Sequence, residues 1–177
     1  MIEINNFIGG KNIASETDNY MSLSKPTTGE EYAKVPITTK KEFDKVIEEM
    51  KIAQLEWAET ALTKRSSILF KFKNLIEKNF DEIATIISNE HGKVFSDAKG
   101  SLQRGLEVVD FACGIPHLLK GSHSINVGTN VDSFDIRQPL GISAGITPFN
   151  FPAMVPMWMF PISIACGNAF LLKPSEK

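Results

Sequence analysis

Residues 141–177 constrain this chain more than any other part of it. The stretch opens as Gly-Ile-Ser-Ala-Gly-Ile-Thr-Pro-Phe-Asn-Phe-Pro at Gly141. An apolar run follows to Cys166, and Gly-Asn-Ala-Phe-Leu-Leu-Lys-Pro-Ser-Glu-Lys closes it. Leu140 to Thr147 is short, nearly all apolar and starts after Pro139, the pattern of a strand buried on both faces. Residues 152–166 are too many for a strand and fit a helix, with Pro152 near its first turn, where a missing N–H costs little. Gly167-Asn168 stops that helix. Ala169 to Leu172 reads as a second apolar strand, ended by Pro174. Strand, helix and strand in that order form the crossover unit of a parallel sheet, so the fold class is α/β.

Open parallel sheets hold ligands beyond the carboxyl ends of their strands. Asn150 follows the first strand and Lys173 ends the second. Taken singly, an asparagine in a turn and a lysine at a strand end are ordinary solvated groups. Their shared placement at the ligand-binding rim makes them candidates.

The remaining composition narrows the function classes. A chain of 177 residues is one domain or a piece of one. The net charge of −2 carries no basic excess for nucleic acid. Met-Ile-Glu-Ile-Asn-Asn lacks the basic and apolar regions of a signal peptide. The apolar run 151–166 falls short of the roughly 20 residues that cross a bilayer, and it holds three prolines. Cys113 and Cys166 are expected to be buried, inert thiols of a cytoplasmic protein. His91, His117 and His123 show no metal-ligand spacing, so no metal is expected.

Earlier in the chain, Gly9-Gly10 suits a hairpin turn and 25–30 a second turn, with a strand over 32–37. Thr39 and Glu42 form a capping-box pattern. After it, Phe43, Val46, Ile47, Met50, Ala53, Trp57 and Ala61 share one helical face. A second helix follows Thr63, with Ile68, Leu69, Phe72, Leu75 and Ile76 in register. A third spans about 80–90, with Ile83, Ala84, Ile86 and Ile87, and stops at Gly92. These stripes read as core packing.

A fourth helix runs from about Ser96 to Gly114. Leu102, Leu106, Val109 and Cys113 lie on one face, and Val108 and Phe111 nearly opposite, so both sides should be covered. Arg104 shares the second side and needs an acidic partner there. Spacing alone favours a local pair with Glu107 at i+3; the alternative is a bound carboxylate. Residues 125–127 and 131–136 form a hairpin around Gly128-Thr129-Asn130. It is either an ordinary sheet edge or an exposed one that needs a partner.

Thr147-Pro-Phe-Asn-Phe-Pro152 and Leu172-Lys-Pro-Ser-Glu176 resemble two signatures of the aldehyde dehydrogenase superfamily. The longer string from Thr147 through Met154, Pro156, Trp158 and Pro161 to Asn168 is narrower. With Arg104 to Gly121 it resembles the CoA-acylating methylmalonate-semialdehyde dehydrogenases. The resemblance covers the whole chain, which matches only the leading part of such an enzyme. It implies a Rossmann-like parallel sheet with flanking helices and a projecting β-hairpin, and no Gly-x-Gly-x-x-Gly is needed. Residues 1–177 would be an incomplete NAD-binding domain, and 122–137 an oligomerisation hairpin within it.

The implied reaction is NAD-dependent, CoA-acylating oxidation of methylmalonate or malonate semialdehyde. It gives propionyl-CoA or acetyl-CoA with loss of CO2, a step of valine catabolism. By the same resemblance, Asn150 is the oxyanion donor and Arg104 binds the substrate carboxylate. Lys173 meets the adenosine ribose hydroxyls, and Glu176 reaches the adenosine side, where its charge favours NAD over NADP. The Thr147 and Phe149 backbone lines the nicotinamide half, and Lys177 stands where relatives carry another basic residue. The partners implied are the semialdehyde, coenzyme A and further copies of the chain, as a dimer or tetramer. The nucleophilic cysteine of the family lies beyond position 177, so turnover by this chain alone is not expected. The alternatives are a non-acylating aldehyde dehydrogenase and a non-catalytic binding or assembly module using the hairpin.

Overall fold

Glycine at positive φ shapes the opening strands. The computed structural model describes residues 1–176; Lys177 lies outside the described residues. Gly9 (φ 58°) and Gly10 (φ 77°) join β2 (Asn6–Ile8) to β3 (Lys11–Ile13) in the expected tight hairpin. A second sheet orders β1 (Ile2–Glu3), β5 (Glu31–Pro36) and β4 (Tyr20–Ser24), with β1 parallel and β4 antiparallel to β5.

The capping box forms as read. Thr39 precedes α1 (Lys40–Ala58), its hydroxyl accepts from the Glu42 amide, and the Glu42 carboxylate accepts from the Thr39 amide at 2.8 Å. Glu42 also accepts from Ser15 Oγ and the Glu16 amide, each at 2.8 Å, and so ties the preceding loop to the helix start. The stripe on α1 is less covered than expected. No residue of α1 is buried; Phe43 and Ala53 are exposed, and Ala61 lies past the helix end. Contact runs instead through Trp57 Nε1, which donates to Ile164 O at 2.8 Å, and Gln54 Nε2, which donates to Gly167 O at 3.2 Å.

The core lies among α2 (Leu62–Lys78), α3 (Phe80–His91), α4 (Phe95–Cys113) and α6 (Met154–Ala165); the short α5 (Ile115–Leu118) closes one end of it. Ile76, Ala84, Ile87, Leu102, Leu106, Val109 and Met157 form one cluster, while Ile68, Leu75 and Ile86 face solvent. Gly105 lets α4 and α6 touch: a Cβ there would lie 2.4 Å from Met157 Cε and 3.2 Å from Met154 Cα. The second side of α4 is not covered. Arg104 and Phe111 are exposed and Val108 half-buried, because no element among the described residues packs over them.

β6 (His123–Gly128) and β7 (Val131–Phe134) form the hairpin, turning at Thr129-Asn130 with Asn130 at φ 61°. Every residue of both strands is exposed, with Phe134 69 % accessible.

β8 (Ile142–Ile146) and β9 (Ala169–Lys173) pair in parallel, with α6 as the crossover. One expectation fails here: β8 is covered on one face only. Ser143 Oγ lies 2.5 Å from Ser163 Oγ of α6, and a Cβ at Gly145 would meet Met159 Sδ. Ile146, on the other face, is 77 % exposed, because the described residues set no layer against it. Pro152 precedes α6, Pro156 falls in the first turn, and Pro161 sits inside the helix, where it has no N–H for the ladder.

Asn168 joins the unit together. Its side chain is buried; Oδ1 accepts from the amides of Leu140 (2.7 Å) and Gly141 (3.0 Å), and Nδ2 donates to Ser163 O at 3.2 Å. Asn168→Ala strands two strand-entry amides and should lower unfolding free energy by about 1–3 kcal/mol; urea denaturation checks this.

The Glu42 carboxyl falls from the ordinary 4.5 to about 2, chiefly through the Thr39 and then the Glu16 amide bonds. A depressed folded-state pKa stabilises the fold above 4.5, and that contribution is lost as pH falls towards 2. Glu42→Gln should therefore lie below the native denaturation midpoint at pH 6 and converge on it as pH falls towards 2.

Candidate active site

Parallel pairing brings the ends of β8 and β9 to one rim. Ile146 is opposite Lys173, and the Thr147 amide donates to Lys173 O at 3.1 Å. Residues 148–153 turn from there into α6. Thr147 is buried, while Phe149 and Asn150 are exposed, so the Asn150 side chain is open to solvent beside the strand ends. Thr147 and Lys173 thus share one rim, and Phe149 and Asn150 lie in the turn that leaves it.

Glu176 joins them. Lys173 Nζ pairs with Glu176 Oε2, and both side chains remain about half accessible. An ammonium and a carboxylate held side by side offer donors and an acceptor to a vicinal diol. That donor set fits the ribose of a dinucleotide.

Arg104 lies nearby through the α4–α6 crossing. It adjoins Gly105, which abuts Met154 and Met157 at the start of α6, and Trp158 Nε1 donates to Arg104 O at 3.4 Å. The pair with Glu107 that spacing favours does not form; among the described residues no carboxylate lies within ion-pair distance of Arg104. Its guanidinium is exposed and available to an external anion.

Both cysteines fit the inert reading. Burial pushes the Cys113 thiol up, with Asp110 adding to it and Lys73 opposing; burial also raises Cys166, opposed by Arg65. Cys113 is buried on α4; Cys166, expected to be buried, is only half-buried, because it caps the C-terminus of α6 rather than lying inside it. No cluster among the described residues could hold a metal ion, and no helix among them is long and apolar enough to cross a membrane.

Two residues escaped the sequence reading. Arg65 is buried on α2, where Nε donates to Thr60 O (3.0 Å) and Nη1 to Ala165 O (2.8 Å). It meets the negative end of the α6 dipole instead of a carboxylate. Lys93 Nζ donates to Asn150 O at 2.8 Å and lies 4.5 Å from the Phe151 ring centroid. The Arg65–Ala165 and Lys93–Asn150 contacts join residues far apart in sequence, so only chain folding reveals them.

Known proteins resemble this chain in sequence and in fold. The aldehyde dehydrogenase family model matches residues 13–177. Malonate-semialdehyde dehydrogenase 3 of Geobacillus kaustophilus is 47% identical over 174 residues, covering 98% of this chain and 36% of the relative. The acylating, mitochondrial methylmalonate-semialdehyde dehydrogenase of Arabidopsis thaliana is 46% identical over 172 residues, covering 97% of this chain and 28% of the relative. The crystal structure of methylmalonate-semialdehyde dehydrogenase from Oceanimonas doudoroffii superposes with TM-score 0.95 at 46% identity, covering 99% of this chain and 36% of that one. A Sinorhizobium meliloti protein assigned to the same activity and complexed with NAD superposes with TM-score 0.96, also at 46% identity and 99% and 36% coverage. The chain therefore spans between 28% and 36% of the length of these relatives. With residues 13–177 matched by the family model, the chain belongs to the aldehyde dehydrogenase family.

Proposed function

We propose that this chain is the leading part of a NAD-dependent, CoA-acylating methylmalonate- or malonate-semialdehyde dehydrogenase and does not turn over alone. The observation that carries the reading is the shared rim: Asn150 lies in the turn that follows β8, and Lys173 ends the adjacent parallel β9, in a chain 47% identical to a malonate-semialdehyde dehydrogenase. In the complete enzyme the Asn150 amide donates to the oxyanion of the tetrahedral adduct, and losing such a donor raises the barrier by roughly 3 kcal/mol. Arg104 holds the carboxylate of the semialdehyde in its guanidinium fork. Lys173 and Glu176 hold the ribose hydroxyls, and the Glu176 charge disfavours a 2′-phosphate. The backbone of Thr147 and Phe149 flanks the nicotinamide half, and Lys177 adds a further basic group. NAD, when bound, supplies the hydride acceptor. Coenzyme A takes the acyl group after CO2 leaves.

Neither cysteine of this chain serves as the nucleophile, since the reacting form is the thiolate and burial disfavours it. We place the enzyme in the cytoplasm as a homo-oligomer, dimer or tetramer, with the 122–137 hairpin as a subunit contact; its exposed Ile125 and Phe134 favour that role. A non-acylating dehydrogenase that hydrolyses its thioester is the second reading, and the bare Arg104 guanidinium, suited to an acidic substrate, is what ranks it lower.

Joining this chain in frame to the remaining two-thirds of the Pseudomonas aeruginosa malonate-semialdehyde dehydrogenase, of which it matches 35%, tests the reading. The chain alone should make no steady NADH from NAD, CoA and malonate semialdehyde, while the joined enzyme should make it in proportion to CoA. Asn150→Ala should lower kcat by about 10²–10³-fold. Arg104→Leu should impair malonate semialdehyde far more than a simple aldehyde; equal impairment removes the carboxylate role. Steady turnover by the unjoined chain would overturn the claim that it is incomplete. Iodoacetamide at neutral pH should label Cys113 and Cys166 of the chain more slowly than glutathione, as mass spectrometry can read.

A further inference from the structure

We propose that Lys93 is a positioning residue for the Asn150 turn: its ammonium, donating to the Asn150 carbonyl and lying over the Phe151 ring, fixes the backbone from which the Asn150 amide is presented. This rests on the oxyanion role proposed above for Asn150.

The turn that delivers Lys93 is itself held. Gly92 ends α3 at φ 82°, and its amide donates to Ser88 O at 2.9 Å. Ser88 Oγ donates to Lys93 O at 2.7 Å. A Cβ on Gly92 would lie 2.7 Å from Thr27 Cγ2, so the turn also abuts the loop between β4 and β5. From this base the Lys93 side chain, half-buried, crosses to the start of α6.

Its partners are unusual for a lysine of this chain. Lys34, Lys73 and Lys99 each pair with a carboxylate at 2.7–2.9 Å. Lys93 pairs with none among the described residues; it takes a carbonyl and a ring on two consecutive residues, Asn150 and Phe151. A charge-assisted bond to a carbonyl and a cation–π contact both strengthen when shielded from water. The Asn150 side chain is exposed, so its direction depends on the backbone that carries it. Holding the Asn150–Phe151 peptide by its carbonyl, with the Phe151 ring fixed beside it, leaves the backbone that carries that side chain few ways to move.

Geometric placement alone separates productive from idle donors, and a displacement near 1 Å can reduce rate by about 10²-fold. Lys93→Met keeps the aliphatic stem and removes the donor. In the 177-residue chain, amide hydrogen exchange at residues 149–151 should speed up in Lys93→Met, with circular dichroism unchanged, and return to native rates in Lys93→Arg. In the joined enzyme, Lys93→Met should lower kcat by about tenfold and leave the KM for NAD unchanged, while Lys93→Arg recovers most of the rate. On an Asn150→Ala background, Lys93→Met should add no further loss. Unchanged exchange at 149–151, or a kcat loss that persists in full without Asn150, overturns the positioning role and leaves the oxyanion reading standing. An Asn150→Ala enzyme with native kcat overturns the oxyanion reading, and this inference with it.

Discussion

The side-chain amide of Asn168 determines where strand β8 starts. Its oxygen receives the Leu140 and Gly141 amides, and its nitrogen donates to Ser163 O near the end of α6. Gly167 just before it takes φ 91°, and a side chain there would collide with Arg65 and Pro139. Arg65 in turn holds Ala165 O, the last carbonyl of α6. These contacts set the register in which Ile142 faces Ala169 and Ile146 faces Lys173. A slip in that register would carry Lys173 away from the turn that bears Asn150. The rim therefore depends on one buried polar group far from it, at the opposite ends of both strands.

The second constraint is the close crossing of α4 and α6 at Gly105. The glycine removes the Cβ that would strike Met157, so the two helices approach within contact of backbone. Arg104, the adjacent residue, is thereby placed beside the start of α6 with its guanidinium outward. The same crossing buries Leu102, Leu106 and Val109, which gives the helical layer its stiffness. Apolar packing on one side of α4 thus orients a cation on the other.

Much of this was legible in the residues. The helix boundaries followed from Thr39 and Glu42, Gly92 and Gly167, because caps and stops act within a few residues. The strand–helix–strand unit followed from the length of its apolar runs. Coverage was less legible. Ile146, Phe111 and Phe43 look like core residues, yet they are exposed, since an apolar pattern states which face seeks cover and not whether this chain provides it. The Arg104–Glu107 pair failed for a related reason: i+3 spacing permits a contact that solvent competes with at an exposed site.

The amino-acid sequence by itself determined the family, the order of the long helices and of the closing strand–helix–strand unit, and the rim that Asn150 follows and Lys173 ends. Those depend on local preference and on motifs of contiguous residues. Only the tertiary structure assigned Lys93 to the Asn150 turn, Arg65 to the end of α6 and Asn168 to the entry of β8. Each joins residues far apart in the chain, and hydrogen-bond partners at such separations are chosen by packing, which no local pattern encodes.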